Sequence, residues 1–367
     1  MKIIGAVLDE IGRARPYARS RPVSVVELEL DEPGPGEVLV KIEAAGICHS
    51  DLSVVNGSRV RPVPMLLGHE AAGRVLRVGP DVDDLLPGQR VVTVFLPRCG
   101  ECANCLTNGK LPCTPGSAAN NAGELFGGGT RLHSNEADVA HHLGVSGFAT
   151  HAVIDRRSLV PVDDDVPPAV AALLGCAVLT GGGAVLNAGA PEPGQTVIIV
   201  GLGGVGMAAL LTAVSLGCEV IGVDSSREKL VRALELGATA AHSPEQLAEQ
   251  RITAPVVIEA AGHPRAFETA VSATAPGGRT VTVGLPSPDA RASIAPLGIT
   301  AEARTIIGSY LGSSVPSRDI PLYAQMWREG RLPVEELASS TIRLEDINEA
   351  FDTLADGLAV RQIILFD

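Results

Sequence analysis

The chain lacks an excess of positive charge, has few aromatic residues, and carries no even set of cysteines. Acidic residues (42) outnumber Lys and Arg (29), leaving a net charge of −13. A nucleic-acid binder needs a basic face to neutralise phosphates, so that class is excluded. The negative balance itself implies solubility and little more. Aromatics make up 3% of the residues while Gly and Ala abound, which stays within the range of an ordinary soluble globular protein. No internal repeat or low-complexity tract stands out. The opening "MKIIGAVLDEIGRARPYARS" has early charges and no sustained apolar run, so no secretory signal is expected and the cytoplasm is the expected compartment. Seven cysteines are an odd number, and four fall within 99–113. Without an export signal, that crowding points to metal binding before disulfides.

One apolar run is long enough to cross a bilayer. "AVAALLGCAVLTGGGAVLNAGA" (169–190) carries no charge from end to end. It is rich in glycine, bounded by Pro168 and Pro191, and stands alone. A buried helix and loop between domains is the expectation, with no membrane partner.

At 367 residues the chain has room for two domains. Up to about residue 165 it reads as strands and turns. In "PGPGEVLVKIEAAGIC" a Pro/Gly turn precedes an alternation that puts Val38, Val40 and Ile42 on one face and Lys41 and Glu43 on the other. Residues 114–140, polar and Gly-rich, read as one long loop, a length associated with function or assembly. Near residue 195 the pattern changes. "QTVIIVG" is a continuous apolar run suited to a parallel strand buried on both faces. A helix (Val205–Leu216), the strand "EVIGVD", a helix (Ser226–Leu236) stopped by Gly237, and strands at "VVIEAAG", "RTVTVG" and "RTIIGSY" follow. Alternating strand and helix predict an α/β domain with a doubly wound parallel sheet. After about residue 310 the chain becomes mixed and ends in a last strand at "VRQIILFD".

"IIVGLGGVGMAA" sets Gly201, Gly203 and Gly206 in G-x-G-x-x-G spacing. The first glycine permits the tight turn, the second lets the backbone approach a pyrophosphate, and the third lets helix pack on strand. A strand before, a helix after, and an acid, Asp224, at the end of the next strand supply the required context. A carboxylate there accepts bonds from ribose hydroxyls and repels a 2′-phosphate, which favours NAD(H). The alternative is an Asp that caps the helix starting near Ser226.

"CGECANCLTNGKLPC" spaces Cys99, Cys102, Cys105 and Cys113 as C-x2-C-x2-C-x7-C. Four thiolates on a short loop can close a tetrahedron around Zn²⁺, leaving no position for substrate. Iron–sulfur ligation is the rival, though ferredoxin spacing continues as x3-C-P. Cys48, Cys176 and His69 form the Cys₂His set of open catalytic zinc sites. Each alone is weak, since a lone His in an apolar stretch is as a rule a satisfied core residue.

Together "CHSD", "GHE", the four-cysteine lobe, "LGCAVLTG" and "GLGGVG", in this order, resemble the zinc-dependent alcohol dehydrogenases of the medium-chain dehydrogenase/reductase superfamily. The resemblance runs from near residue 25 to the end. It implies a GroES-like β-rich catalytic domain (1–177 and 311–367, with a structural zinc lobe at 95–115) and a Rossmann NAD-binding domain (178–310), with the active site in the cleft between them. It implies that Cys48, His69 and Cys176 hold a catalytic zinc, that Glu70 lies behind it as an occasional ligand, and that Asp51 bonds His69. Ser50 would take the substrate alcohol's proton. Gly204 in the glycine loop, Asp224 and Lys229 would hold cofactor, with His49 and Arg361 on its pyrophosphate. Thr180, Val205 and Leu285 would wall the nicotinamide, and Phe95 and Leu143 would line the pocket. The implied reaction is reversible hydride transfer between a primary medium-chain or aromatic alcohol or aldehyde and NAD(H) through a zinc-bound alkoxide. Two zincs per subunit and a homodimer are also implied, the dimer from the long loop. Ser53 stands where many members carry a relay histidine. A thiol-adduct formaldehyde dehydrogenase is the alternative, but its acidic and arginine signals are absent from "NGSRVRPVP" and "TPGSAANN".

Overall fold

In the computed structural model, which describes residues 1–135 and 137–367, the chain divides into two compact units. One comprises Met1–Cys176, Pro316–Ala324 and Ala338–Asp367, the other Ala177–Val315 and Gln325–Leu337.

Ten strands come first: β1 (Lys2–Leu8), β2 (Val23–Leu30), β3 (Glu37–Ile47), β4 (Met65–Leu66), β5 (Glu70–Val78), β6 (Arg90–Thr93), β7 (Leu132–Ser134), β8 (Ala137–His141), β9 (His151–Asp155) and β10 (Leu159–Val162). Strands β1, β2, β7, β8 and β4 close a barrel. β3 is the spine of a second sheet and pairs antiparallel with β5 and β9. The alternation along β3 explains its place: Val38, Val40 and Ile42 enter one apolar cluster, and Leu39 enters another. Lys41 and Glu43 are only half-buried.

The second unit contributes β11 (Thr196–Val200), β12 (Glu219–Val223), β13 (Ala240–His242), β14 (Ala254–Glu259), β15 (Thr274–Thr282) and β16 (Thr305–Gly308). All pair in parallel, in the order β13-β12-β11-β14-β15-β16. The order reverses direction between β11 and β14, the switch point at which doubly wound sheets bind ligands. Val197, Ile198, Ile199 and Val200 are buried on both faces of β11, which is why it shows no alternation. Finally β17 (Ser340–Ile342) and β18 (Gln362–Leu365) extend the first unit, with β18 antiparallel on β3.

Two expectations need correction. Residues 114–140 are not one loop: they hold a helix, Thr114–Ala122, and strands β7 and β8. Pro115 sits in the helix's first turn, where its missing N–H is not needed, and Gly123 (φ +74°) ends it. Polar composition masked that punctuation. Residues 325–337 also group with the second unit rather than the first, because Val334 and Leu337 are buried and Glu336 pairs with Arg232. The long apolar run forms helical turns over Pro168–Gly189 with mean hydropathy 2.1, and 89% of its most apolar window is buried inside the protein.

Candidate metal centre and nucleotide site

Three strand or helix ends of the first unit bring Cys48, His69 and Cys176 together. Cys48 follows β3 and caps the helix His49–Val55, His69 immediately precedes β5, and Cys176 lies in the π-helical turn Leu174–Val178. Gly175 allows the last of these approaches, since a Cβ there would overlap the Thr93 carbonyl of β6. The Thr93 hydroxyl in turn bonds both backbone groups of Ala71 on β5. The Sγ, imidazole nitrogen and Sγ of the three residues lie within 4.8 Å of one another, and all three residues are buried. Nε2 of His69 is 3.4 Å from Cys176 Sγ.

Asp51 organises this cluster. It is fully buried; Oδ2 accepts the Cys48 backbone N–H (3.0 Å), and Oδ1 is 3.0 Å from His69 Nδ1. The proton of His69 is thereby drawn to Nδ1, leaving Nε2 turned to the two sulfurs. Burial opposes ionisation of Asp51, yet His69 and His142 hold its pKa well below the carboxylate range. Burial likewise opposes charge on His69, but Asp51 and Cys48 raise it well above an ordinary histidine. A hydrogen bond from Cys176 lowers Cys48 well below an ordinary thiol, against burial and with help from Arg361 and His69. Cys176 is raised, by that same bond to Cys48 and by burial. Two soft thiolates and an oriented imidazole are the donor set of an open zinc site.

Behind the cluster, Arg361 Nε lies 3.1 Å from Glu70 Oε1 and its Nη2 3.3 Å from Cys48 Sγ. Both side chains are buried. Burial raises the pKa of Glu70 and Arg361 opposes the rise. The resemblance set Arg361 on a pyrophosphate; the structure turns its guanidinium to Glu70 and Cys48, where one cation faces two buried acids. Phe95 meets His69 edge-on at 5.6 Å. Leu143 is buried in a left-handed turn (φ +53°). His49 is exposed and Ser50 half-buried on the first turn of their helix, and Ser53 Oγ donates to the His49 carbonyl (2.7 Å).

Sequence reasoning missed two groups. His142, in "HHLG", is 1% exposed with Nδ1 3.1 Å from Asp51 Oδ1, at hydrogen-bond distance but off the line of a good bond. Asn120 donates to the Phe95 carbonyl at 2.6 Å. Two adjacent histidines at a strand end were the available signal, but no spacing rule linked them to residue 51.

The second cluster is local. Sγ atoms of Cys99, Cys102, Cys105 and Cys113 lie within 4.8 Å of one another. Backbone N–H groups of Cys99, Cys102 and Cys105 donate to the sulfurs of Cys113, Cys99 and Cys102 (3.4, 3.3 and 3.4 Å). Backbone donors of Thr114 and Cys105 bring Cys102 down to about 6. None of the four is in a disulfide, and together they offer four thiol donors, a set suited to zinc.

In the second unit Gly201 adopts φ +93° at the end of β11, and a Cβ on Gly206 would overlap the Gly201 carbonyl. Around Gly203 a Cβ meets nothing within 4 Å, so the loop is open where a pyrophosphate would lie, at the start of the helix Gly204–Ser215. Asp224 accepts the Leu202 N–H with one oxygen and the Ser226 N–H with the other (2.8 and 2.9 Å). Ser226, not Asp224, caps the following helix, its hydroxyl accepting the Lys229 N–H. Glu259 fixes the loop after β14 by accepting the N–H groups of Ala261 and Gly262. A cavity of about 920 Å³ opens beside these residues, lined by Gly201, Asp224, Ser225, Glu245, Arg251 and Thr269. Gly181 lets the helix carrying Thr180 pack on the Val205 backbone, and Leu285 is half exposed beside Gly262.

Residues 34–164 match the family described as alcohol dehydrogenase GroES-like domain, and 204–328 match zinc-binding dehydrogenase. Over its whole length the chain is 35% identical to putative alcohol dehydrogenase D of Mycobacterium tuberculosis, covering 100% of both. It is 34% identical to an NDMA-dependent alcohol dehydrogenase of Amycolatopsis methanolica, covering 100% of this chain and 99% of the other. Among solved structures it superposes on the benzyl alcohol dehydrogenase of Acinetobacter calcoaceticus with TM-score 0.91 at 29% identity, covering 100% of each.

Proposed function

The chain belongs to the zinc-dependent alcohol dehydrogenases of the medium-chain dehydrogenase/reductase superfamily, and from that premise we propose that it interconverts primary alcohols and aldehydes with NAD(H) as hydride carrier. The observation that carries the reading is the buried S, N, S set of Cys48, His69 and Cys176, with Asp51 on the far nitrogen of the imidazole. Zinc there would supply a Lewis acid that eases loss of a hydroxyl proton, and a nicotinamide would accept the hydride.

The chain's own residues do the rest. Asp51 pins the His69 tautomer and, through the Cys48 N–H, the position of one thiolate. Arg361 balances Cys48 and Glu70. Ser50 takes the alcohol's proton; Ser53, whose hydroxyl donates to a backbone carbonyl, does not replace a relay histidine. Asp224 keeps lone pairs for ribose hydroxyls and, with Lys229, selects NAD over NADP. Thr180, Val205 and Leu285 wall the nicotinamide. Phe95 and Leu143 favour medium-chain or aromatic substrates, a reading supported by the benzyl alcohol dehydrogenase likeness. The Cys₄ lobe holds a second, structural zinc, and the working form is a homodimer.

The test is metal content with a substrate panel. Two zincs per wild-type chain, and turnover of benzyl and medium-chain alcohols with NAD, are expected; one zinc per chain overturns the catalytic site. NDMA belongs in the panel as an alternative acceptor, since one full-length relative depends on it. Turnover with NDMA and none with added NAD would overturn NAD as a freely exchanging cosubstrate. Formaldehyde with a thiol carrier tests the remaining alternative.

A further inference from the structure

Asp51 faces two imidazoles, not one. Nδ1 of His69 and Nδ1 of His142 lie 3.0 and 3.1 Å from the same oxygen, Oδ1. A bare nitrogen lone pair that close to a carboxylate would be repelled, so the proton of His142 belongs on Nδ1. Asp51 accepts the Cys48 N–H and bonds His69, and the His142 Nδ1 edge lies against the same Oδ1 off the line of a good bond, an attraction of charge and dipole. The His142 ring also meets the His69 ring edge-on at 5.4 Å and 88°, while Phe95 meets His69 at 87°. The His69 ring is therefore held between two edges and at one nitrogen.

The backbone around His142 is arranged to present it. Leu143 and Ser146 are both left-handed (φ +53° and +54°), an unfavourable conformation for side-chain-bearing residues that needs support from its surroundings. Ser146 supplies it: its hydroxyl accepts the His142 N–H at 3.1 Å and donates to the Leu66 carbonyl at 2.9 Å. The turn is thus tied to the end of β4, just ahead of His69.

We propose that His142 is a positioning residue of the metal centre: its Nδ1–H, held close to the Asp51 oxygen that bonds His69, and its ring, edge-on to His69, set the orientation in which His69 offers Nε2 to the metal. The inference rests on the reading that Cys48, His69 and Cys176 hold a metal. Groups that hold a metal ligand from behind commonly account for 10–100-fold in affinity, which sets the scale at about tenfold here. An Asn side chain places an N–H where Nδ1 stands; Phe keeps the ring and loses the donor.

The experiment uses the full chain loaded with Zn²⁺ and, separately, Co²⁺. Release of each metal to a chromophoric chelator is followed, together with the visible d–d bands of the Co²⁺ form. The Cys₄ lobe serves as internal reference. Two metals per wild-type chain is the condition for the metal-centre reading, and one metal overturns that reading whatever the variants do. Given two, His142→Phe is expected to release metal from the Cys₂His site about tenfold faster, with altered d–d bands and unchanged release from the lobe. His142→Asn is expected to restore most of both properties. Release and bands equal to wild type in His142→Phe overturn the proposal. So does equal failure of His142→Asn and His142→Phe, or loss from both sites together in both variants, because each would mean that shape or general packing is what matters.

Discussion

The two cysteine clusters of the first unit solve the same problem in opposite ways. The lobe takes its four ligands from the single stretch 99–113, and backbone N–H groups within that loop stabilise its sulfurs. Its leucines face water: Leu106 is 73% exposed and Leu111 46%. Apolar burial therefore contributes little there, and a bound metal would supply much of what holds the lobe. The Cys48/His69/Cys176 site takes its ligands from three distant segments of chain, and its elements are anchored in an apolar cluster that includes Val38, Val40, Ile42 and Ala71. Its support comes from buried charged side chains, Asp51, Glu70 and Arg361. A local site depends on the metal for its shape; a dispersed site depends on the fold and keeps its shape ready.

Removing one ligand from each site separates these two dependences. Cys102→Ala should lose the lobe zinc and, with it, a binding free energy on the order of 10 kcal/mol that otherwise goes into local folding. Arg98, which donates to the Leu111 and Cys105 carbonyls, and Lys110 should then become rapid tryptic sites. A lobe as resistant as wild type would break the comparison. Cys176→Ala should instead leave the lobe zinc and the tryptic pattern intact. Turnover should fall by about a thousandfold or more, ~4 kcal/mol of transition-state stabilisation at ~1.4 kcal/mol per tenfold. Metal analysis should find one zinc per chain, against two in the wild type.

A smaller effect sharpens the same contrast. Asp51→Asn keeps the size of the side chain but loses a carboxylate that serves His69, His142 and the Cys48 N–H. Metal affinity at the dispersed site should drop 10–100-fold, roughly 1.4–2.7 kcal/mol, with the lobe unaffected. Competition with a graded series of chelators measures this directly. Equal affinity in the variant would mean that the fold alone positions His69.

The same difference governs how much of each site is legible in the sequence. The lobe is legible because its ligands, their spacing and the loop itself are one continuous stretch. The glycine loop is legible for the same reason, as strand, turn and helix follow in order. The three dispersed ligands came from a resemblance, since nothing in "ICHSD" or "LGCAVLTG" states that β3 and a helical turn far along the chain end side by side. His142 stayed hidden because its partner, Asp51, is remote in sequence; Gly144 (φ +66°) marks a turn there, but nothing in "HHLGVSG" says that the turn presents a side chain to residue 51. The 114–140 segment failed for a different reason. Its helix is short and polar, so its only signals were Pro115 at the start and Gly123 at the end. The resemblance implies a pyrophosphate contact for Arg361; its position beside Glu70 follows from the pairing of β18 with β3, which no local sequence signal states.

The smallest effect concerns thiol chemistry once metal is stripped away. Cys102 is brought down to about 6 by backbone donors of Thr114 and Cys105 and is only half-buried. Cys218, by contrast, is raised by burial. A lowered pKa means that the thiolate is present above it and lost as pH falls through it. In chelator-treated protein, iodoacetamide should therefore label Cys102 with a rate that is half-maximal near pH 6, whereas the rate at Cys218 should still be rising at pH 9. Mass spectrometry of the peptides resolves the two. Zinc returned before labelling should protect Cys102 and leave Cys218 unchanged, since only the first is a ligand. If the backbone donors persist only while zinc holds the loop, Cys102 will titrate like an ordinary thiol near 8.5. A midpoint near 6 is expected, with the lobe keeping its backbone donors without metal, and a midpoint near 8.5 would overturn that expectation.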